Sequence, residues 1–224
     1  MIYPTIIVDD FFDNPKKVKN LASTLEYKKD PEGRWPGERT TFLHQINYPF
    51  FNHVHLKILS ILYPNDFRKI NYNASSFFQK IASKRHGNKG WVHKDVESEI
   101  TAIIYLSDHE NCGTSLWRNK NFFDTDTTMF EKRKLNKLWQ KNSYDKKETD
   151  IINKHNSNFK KILNVDSVFN RLVLFDSNHH HSAEGFLDER IEEDRLTLVT
   201  FIEKLNFNDR QIRYSLTECK RLDK

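Results

Sequence analysis

Trp91-Val92-His93-Lys94-Asp95 leads almost at once into Glu99-Ile100-Thr101-Ala102-Ile103-Ile104-Tyr105-Leu106-Ser107. The second stretch is dense in β-branched and aromatic residues and has no Gly or Pro, the composition of a buried strand. The first stretch puts His93 and Asp95 two positions apart. On a strand, alternate residues share a face, so one imidazole and one carboxylate can reach a common point. By itself a His-x-Asp pair is a weak signal that occurs often by chance and is more commonly a surface pair, so its meaning depends on what the rest of the chain brings near it.

Downstream, Asp108 to Gly113 reads as a turn and Thr114-Ser115-Leu116-Trp117 as a further strand. Residues 119–163 change character. They are rich in Lys, Asn and Asp, with a helical piece from Thr128 to Trp139, and are expected to form an insertion on the outside or near the mouth of a core. Val168 to Phe175 is again strand-like. It runs into Asp176-Ser177-Asn178-His179-His180-His181-Ser182. A polar loop, Glu184 to Asp194, precedes a last strand, Arg195 to Glu203. The tail from Asn206 is charged and reads as peripheral.

Upstream, Thr5 to Val8 predicts a strand. Asn14 and Pro15 predict a helix start, with Val18, Leu21, Ala22 and Leu25 on one face and an end near Tyr27. Residues 30–40 hold two Pro and two Gly and read as irregular. A helix is expected over 49–63, with Val54, Ile58, Ile61 and Leu62 on one face. A buried strand is expected at Ser76 to Ile81, and a turn-rich loop at Arg85 to Gly90. The expected organisation is one 224-residue domain. It comprises an N-terminal helical region (1–66), a core (67–205) interrupted at 119–163, and a tail (206–224). Short strands with helices mostly at the front predict an α+β fold with a jelly-roll-like double sheet.

Composition sets the outer bounds. Hydrophobic residues make up 37% and aromatic residues 13%, including 17 Phe, enough for a substantial core. The net charge of +5 comes from 36 Lys and Arg against 31 Asp and Glu. The excess is mild and scattered, as on a solvated surface. Cys112 and Cys219 form neither a zinc-like pair nor a disulfide framework. No signal-like or membrane-length apolar segment stands out, so a cytoplasmic protein is expected, in a host cytoplasm if phage-encoded.

Together the two key stretches offer two imidazoles and one carboxylate, the ligand set of a facial metal triad with open positions opposite. The order His93-x-Asp95, a strand ending Tyr105-Leu106-Ser107, Cys112-Gly113-Thr114, a Leu-Phe strand, His181-Ser182 and then Arg195 resembles the Fe(II)- and 2-oxoglutarate-dependent dioxygenase superfamily, near its prolyl-hydroxylase-like branch. The resemblance spans about residues 76 to 203, the insertion excepted. Asp13-Asn14-Pro15 and Trp35-Pro36-Gly37-Glu38-Arg39-Thr40 are also similar to oxygenase-like proteins of phages and marine bacteria. The family's Gly-Gly-Thr is here Cys112-Gly113-Thr114, a partial match.

The resemblance implies a double-stranded β-helix, with Fe(II) held by His93, Asp95 and His181. His179 is the reserve for the distal ligand, and His180 should point the other way. It further implies 2-oxoglutarate bound by Arg195, with Arg190 as the alternative. Tyr105 and Thr197 would assist, and Gln79 is a candidate for the pocket wall. The implied reaction hydroxylates a C–H bond of a peptidyl or small-molecule substrate, releasing succinate and CO2. A non-catalytic jelly-roll binding module is one competing reading. A nucleic-acid demethylase is another, but its best-known family carries a second Arg where this chain has Phe201. Determinants of the substrate are expected in residues 30–40 and 119–163. His44, His53, His55, His86, His109 and His155 fit no motif and read as structural or exposed.

Overall fold

A computed structural model describes residues 3–82, 89–109, 112–120, 127–139, 141, 143–186 and 192–207. Strand β1 (Ile6–Val8) precedes helix α1 (Pro15–Ser23). The Asn14 side chain accepts a hydrogen bond from the Lys17 amide, and Pro15 occupies the first turn, where the N–H it lacks has no intrahelical partner. The helix stops at Ser23, short of the expected Tyr27. There the Ser23 and Thr24 hydroxyls turn back onto the carbonyls of Asn20 and Leu21. Two short strands follow, β2 (Lys28–Lys29) and β3 (Glu38–Arg39), then helices α2 (Leu43–Ile46) and α3 (Tyr48–Leu62). Asn47 caps α3 by accepting from the Phe50 amide.

The remaining elements are β4 (Ile70–Ile81), β5 (Ile100–Tyr105), β6 (Thr114–Asn119), α4 (Met129–Leu138), α5 (Lys146–Asn156), β7 (Phe159–Val165), β8 (Leu172–Asp176), β9 (His180–Ala183) and β10 (Arg195–Phe207). They form a seven-stranded sheet of order β1-β8-β5-β10-β4-β3-β2 and a three-stranded sheet of order β7-β6-β9. All pairings are antiparallel.

The alternation of side chains divides the large sheet into two apolar faces. Ile100, Ala102, Ile104, Leu172, Leu174, Leu198 and Phe78 pack with Val18 and Ala22 of α1 and Val54, Ile58 and Leu59 of α3. Each fully buried Leu, Ile, Val or Phe among them contributes about 1.5–3 kcal/mol relative to an exposed one. On the opposite face, Tyr105, Val173 and Phe175 meet Leu116 and Val165 of the small sheet. The two sheets therefore face each other, which is why strands of the large sheet read as continuous apolar runs.

Four expectations need correction. The 30–40 stretch is not wholly irregular, because Glu38–Arg39 forms β3, which with β2 makes one edge of the large sheet, while β1, the strand expected at Thr5 to Val8, makes the other. The interruption does not extend to residue 163: β7 pairs with β6 along its length, so the core resumes at Phe159. The expected strand from Val168 begins only at Leu172. Asn170 stands at φ 67°, and its amide bonds both the N–H and the carbonyl of Phe12. The last strand reaches Phe207 instead of ending at Glu203. His86, Arg190, Cys219 and residues 208–224 lie outside the described residues.

Candidate metal centre

Strand β9 carries His181, and a single antiparallel bridge brings His93 beside it. The His93 amide donates to the His181 carbonyl at 3.0 Å, and the His181 amide returns the bond to His93 at 2.8 Å. The Asp95 amide donates to the Ser177 carbonyl at 2.9 Å. These three bonds join stretches far apart in sequence. Outside that bridge, Trp91 to Asp95 is irregular, so the strand alternation expected for His93 and Asp95 is not what brings them together.

The three candidate ligands converge. One donor atom from each of His93, Asp95 and His181 lies within 4.8 Å of the others. His181 Nε2 is 3.1 Å from Asp95 Oδ2, and His93 Nε2 is 3.8 Å from Asp95 Oδ1. With ligand bonds of about 2.1 Å, adjacent ligands on one ion lie roughly 3 Å apart, so the set needs only a small contraction. Both rings are held the same way. His93 Nδ1 donates to the Trp91 carbonyl and His181 Nδ1 to the His179 carbonyl, each at 2.9 Å. That fixes the tautomer and leaves both Nε2 atoms turned to the common point. His179 serves through its backbone and is not in the convergent group. His180 faces away, against Phe159.

Charge at the centre follows from this packing. Burial disfavours the Asp95 carboxylate, but the His181 charge and hydrogen bond, with help from His93 and Thr101, outweigh it and hold the group well below the usual carboxylate range. Burial works against a charged His181, yet Asp95 raises it above an ordinary histidine. Burial and neighbouring His181 push His93 down to about 4. The Asp95–His181 contact thus favours a proton on His181, which a cation at the common point would displace to leave two neutral imidazoles. A cation taking these atoms keeps the Asp95 charge paired.

The group opens on a cavity of about 730 Å³ between the sheets. Strand register sets its wall. Tyr105 stands opposite Thr197, Thr197 opposite Gln79, and Gln79 opposite Arg39, so these four share one face of the large sheet. Thr197, Gln79 and Arg195 line the cavity. Arg195 is 6% exposed and donates from Nε to the Cys112 carbonyl at 3.1 Å. It has no carboxylate partner among the described residues, and burial lowers its pKa. Tyr105 is fully buried. Its hydroxyl lies 2.7 Å from Thr114 Oγ1, and its ring 5.7 Å from the Arg195 guanidinium carbon. Gly113 is required beside this corner, because a Cβ there would lie 1.9 Å from the Val165 carbonyl oxygen.

Several supporting residues escaped the sequence reading. Thr101 donates to Asp95 Oδ2 at 2.9 Å and lies 2.8 Å from Ser177 Oγ. Its phase with Tyr105 along β5 was the available signal. The interruption proves to be a clamp. Asn156 accepts from the Val92 amide and donates to the Gly90 carbonyl, and His155 Nε2 lies 2.8 Å from the Val92 carbonyl. Trp139 stacks on Trp91 at 5.2 Å and meets the His93 ring edge-on at 5.5 Å. Arg39 and Trp35, from the irregular 30–40 stretch, also line the cavity. Lys132, Asn136 and Trp139 bring the interruption to its mouth.

Over residues 3–202 the chain matches the Family of unknown function (DUF6445), and it belongs to that family. No curated protein matches the sequence. Among solved structures, HygX from Streptomyces hygroscopicus with nickel and 2-oxoglutarate bound is similar at 10% identity and a TM-score of 0.55, over 96% of this chain and 89% of that one. The non-haem α-ketoglutarate-dependent carbocyclase SnoK from nogalamycin biosynthesis gives 13% identity and 0.54, over 91% and 81%. A Trichoplax adhaerens prolyl hydroxylase in complex with a hypoxia-inducible-factor peptide gives 13% and 0.50, over 88% and 82%. The chain has the fold of the Fe(II)- and 2-oxoglutarate-dependent oxygenases. Among the described residues no helix is long and apolar enough to cross a membrane.

Proposed function

We propose that this member of the DUF6445 family is a single-domain Fe(II)- and 2-oxoglutarate-dependent dioxygenase that hydroxylates a C–H bond, its facing sheets being the double-stranded β-helix of that class. The observation that carries the reading is the convergence of His93 Nε2, Asp95 and His181 Nε2 at one end of a cavity. The same cavity holds Arg195, a buried guanidinium with no acid to neutralise it among the described residues. Two neutral imidazoles and one carboxylate leave three positions open on an octahedral ion.

When bound, Fe(II) with 2-oxoglutarate and O2 supplies the oxidation of a C–H bond, with succinate and CO2 as by-products. The chain's own part is placement. His93 and His181 present Nε2 because their Nδ1 hydrogens are committed to backbone carbonyls. Thr101 holds one oxygen of Asp95. Arg195 would take the distal carboxylate of 2-oxoglutarate, whose geometry a guanidinium matches bidentately. Thr197 and the Tyr105 hydroxyl are assigned to the same carboxylate. Ile103 and Val199 give the cavity an apolar wall that limits water.

The test is anaerobic titration with Mn(II) and then 2-oxoglutarate, followed by crystallography of the complex. His93→Ala and Asp95→Ala should abolish metal binding. Arg195→Ala should retain metal and raise the 2-oxoglutarate requirement at least tenfold. Wild-type protein that binds neither would be a jelly-roll without the activity. Succinate release unchanged in all three variants would defeat the mechanism.

A further inference from the structure

Besides Arg195, the cavity is lined by Arg34, which Asp30 pairs, and by Arg39, for which the proposed cosubstrate has no use. Arg39 sits on β3, and the fold takes trouble to put it there. Gly37, at φ 74°, lets β3 close on β4, since a Cβ at that position would lie 2.3 Å from the Lys80 carbonyl oxygen. The closure registers Arg39 opposite Gln79. The guanidinium then lies between two aromatic rings, with its carbon 4.4 Å from the Trp35 centroid and 4.1 Å from that of Phe77.

What Arg39 lacks is a counter-ion. Its one side-chain hydrogen bond among the described residues is a long one, from Nη2 to Gln79 Oε1 at 3.3 Å, and its buried Nε has no partner. The acids that act on it through space are Asp95 and Asp30. Asp95 is paired with His181 at 3.1 Å, and Asp30 with Arg34 at 3.0 Å. The indole Nε1 of Trp35 is likewise buried without an acceptor. Two donors of one short segment therefore line the cavity with nothing to receive them. A partly buried cation without a counter-ion is costly, and an acceptor-only anion relieves it.

We propose that Arg39, flanked by Trp35, binds a carboxylate of the molecule that is oxidised, and that this molecule is a small carboxylic acid. A carboxylate matches the planar guanidinium held between the two rings, and the cavity volume suits a small molecule. Arg195 and Arg39 then divide the labour, one for the cosubstrate and one for the substrate. The inference rests on the oxygenase reading only for which of two bound acids is which.

The test uses Ni(II)-loaded protein, with and without 2-oxoglutarate, and ligand-observed NMR titration of 3-phenylpropionate, its carboxamide and phenyl phosphate. Wild type should bind the acid roughly 10- to 100-fold tighter than the amide, the worth of a hydrogen-bonded charge. Arg39→Gln should erase that preference. Gln79→Glu, which supplies a carboxylate in place, should erase it too while the protein stays folded, so a folding defect in Arg39→Gln does not decide the matter. Equal binding of acid and amide to wild type, or a preference that survives both substitutions, overturns the proposal. Tighter binding of phenyl phosphate overturns the carboxylate assignment. If Arg39→Gln weakens 2-oxoglutarate as much as Arg195→Gln does, Arg39 belongs to the cosubstrate and the proposal falls. Failure of wild type to bind 2-oxoglutarate counts against the oxygenase reading, whereas the acid–amide comparison without it still judges Arg39.

Discussion

At the scale of single residues, the centre is built by hydrogen bonds that leave few side-chain choices. Ser98, Ser177 and Thr101 form a line of hydroxyls ending on Asp95 Oδ2. Thr101→Val keeps the volume and removes the donor. It should weaken metal binding roughly 10- to 100-fold while leaving the fold intact, as outer partners of metal ligands usually do; isothermal titration with Mn(II) reads this. A second residue-scale prediction concerns His55 of α3. Its Nδ1 donates to the Phe51 carbonyl at 2.7 Å, and its Nε2 lies 3.2 Å from the Ser76 hydroxyl. Burial pushes its pKa down to about 4. The unfolded chain therefore binds the proton more readily than the native one. Stability from this residue is full above about pH 6.5 and declines as pH falls towards 4, by about 3 kcal/mol at pH 4. Urea unfolding at pH 7.5 and 4.5 should show that loss, and His55→Gln should show less of it.

At the scale of elements, the interruption between β6 and β7 has two helices with reciprocal caps. Thr128 with Glu131 opens α4, and Asp145 with Glu148 opens α5. Their apolar sides, through Leu135, Leu138, Trp139 and Ile152, pack on Trp91, Ile81 and Phe186. This is an amphipathic hairpin laid over the segment that bears His93. Asn156→Ala removes two bonds to that segment and should cost about 1–2 kcal/mol in stability. Metal affinity should fall as well, by more than an exposed substitution such as Lys154→Ala produces. Equal metal affinity in both variants would mean that α5 covers the segment without positioning it. The small sheet depends on Gly113 in the same way. Gly113→Ala drives a methyl into the Val165 carbonyl and should prevent β6 and β7 from pairing in register, seen as loss of a cooperative thermal transition.

At the scale of the whole molecule, ligands should report the site through stability. A ligand bound only by the native state at 100 times its Kd adds about 2.7 kcal/mol, roughly 5–10 °C for a chain of this size. Ni(II) and 2-oxoglutarate should each raise Tm in wild type. Arg195→Gln should lose the second rise and keep the first. By itself the chain's order of residues pointed to the reaction class to look for, to His93, Asp95 and His181 as candidate ligands, and to most strands of the core. Those are properties of local pattern: apolar runs, alternate positions on β5 and β10, and a His that follows a Leu-Phe strand. It kept His179 in reserve beside His181, missed β7, gave no individual role to Arg39, Thr101 or Asn156, and read His155 only as structural or exposed. Strand β7 reads as Lys-rich because it is an edge strand with outward residues exposed. The other four matter only through partners on distant elements. Which His turns inward depends on the backbone bridge between His93 and His181, and which arginines share a cavity depends on the register of β3 on β4 and β4 on β10. Register is a property of paired strands, so no single stretch of sequence contains it.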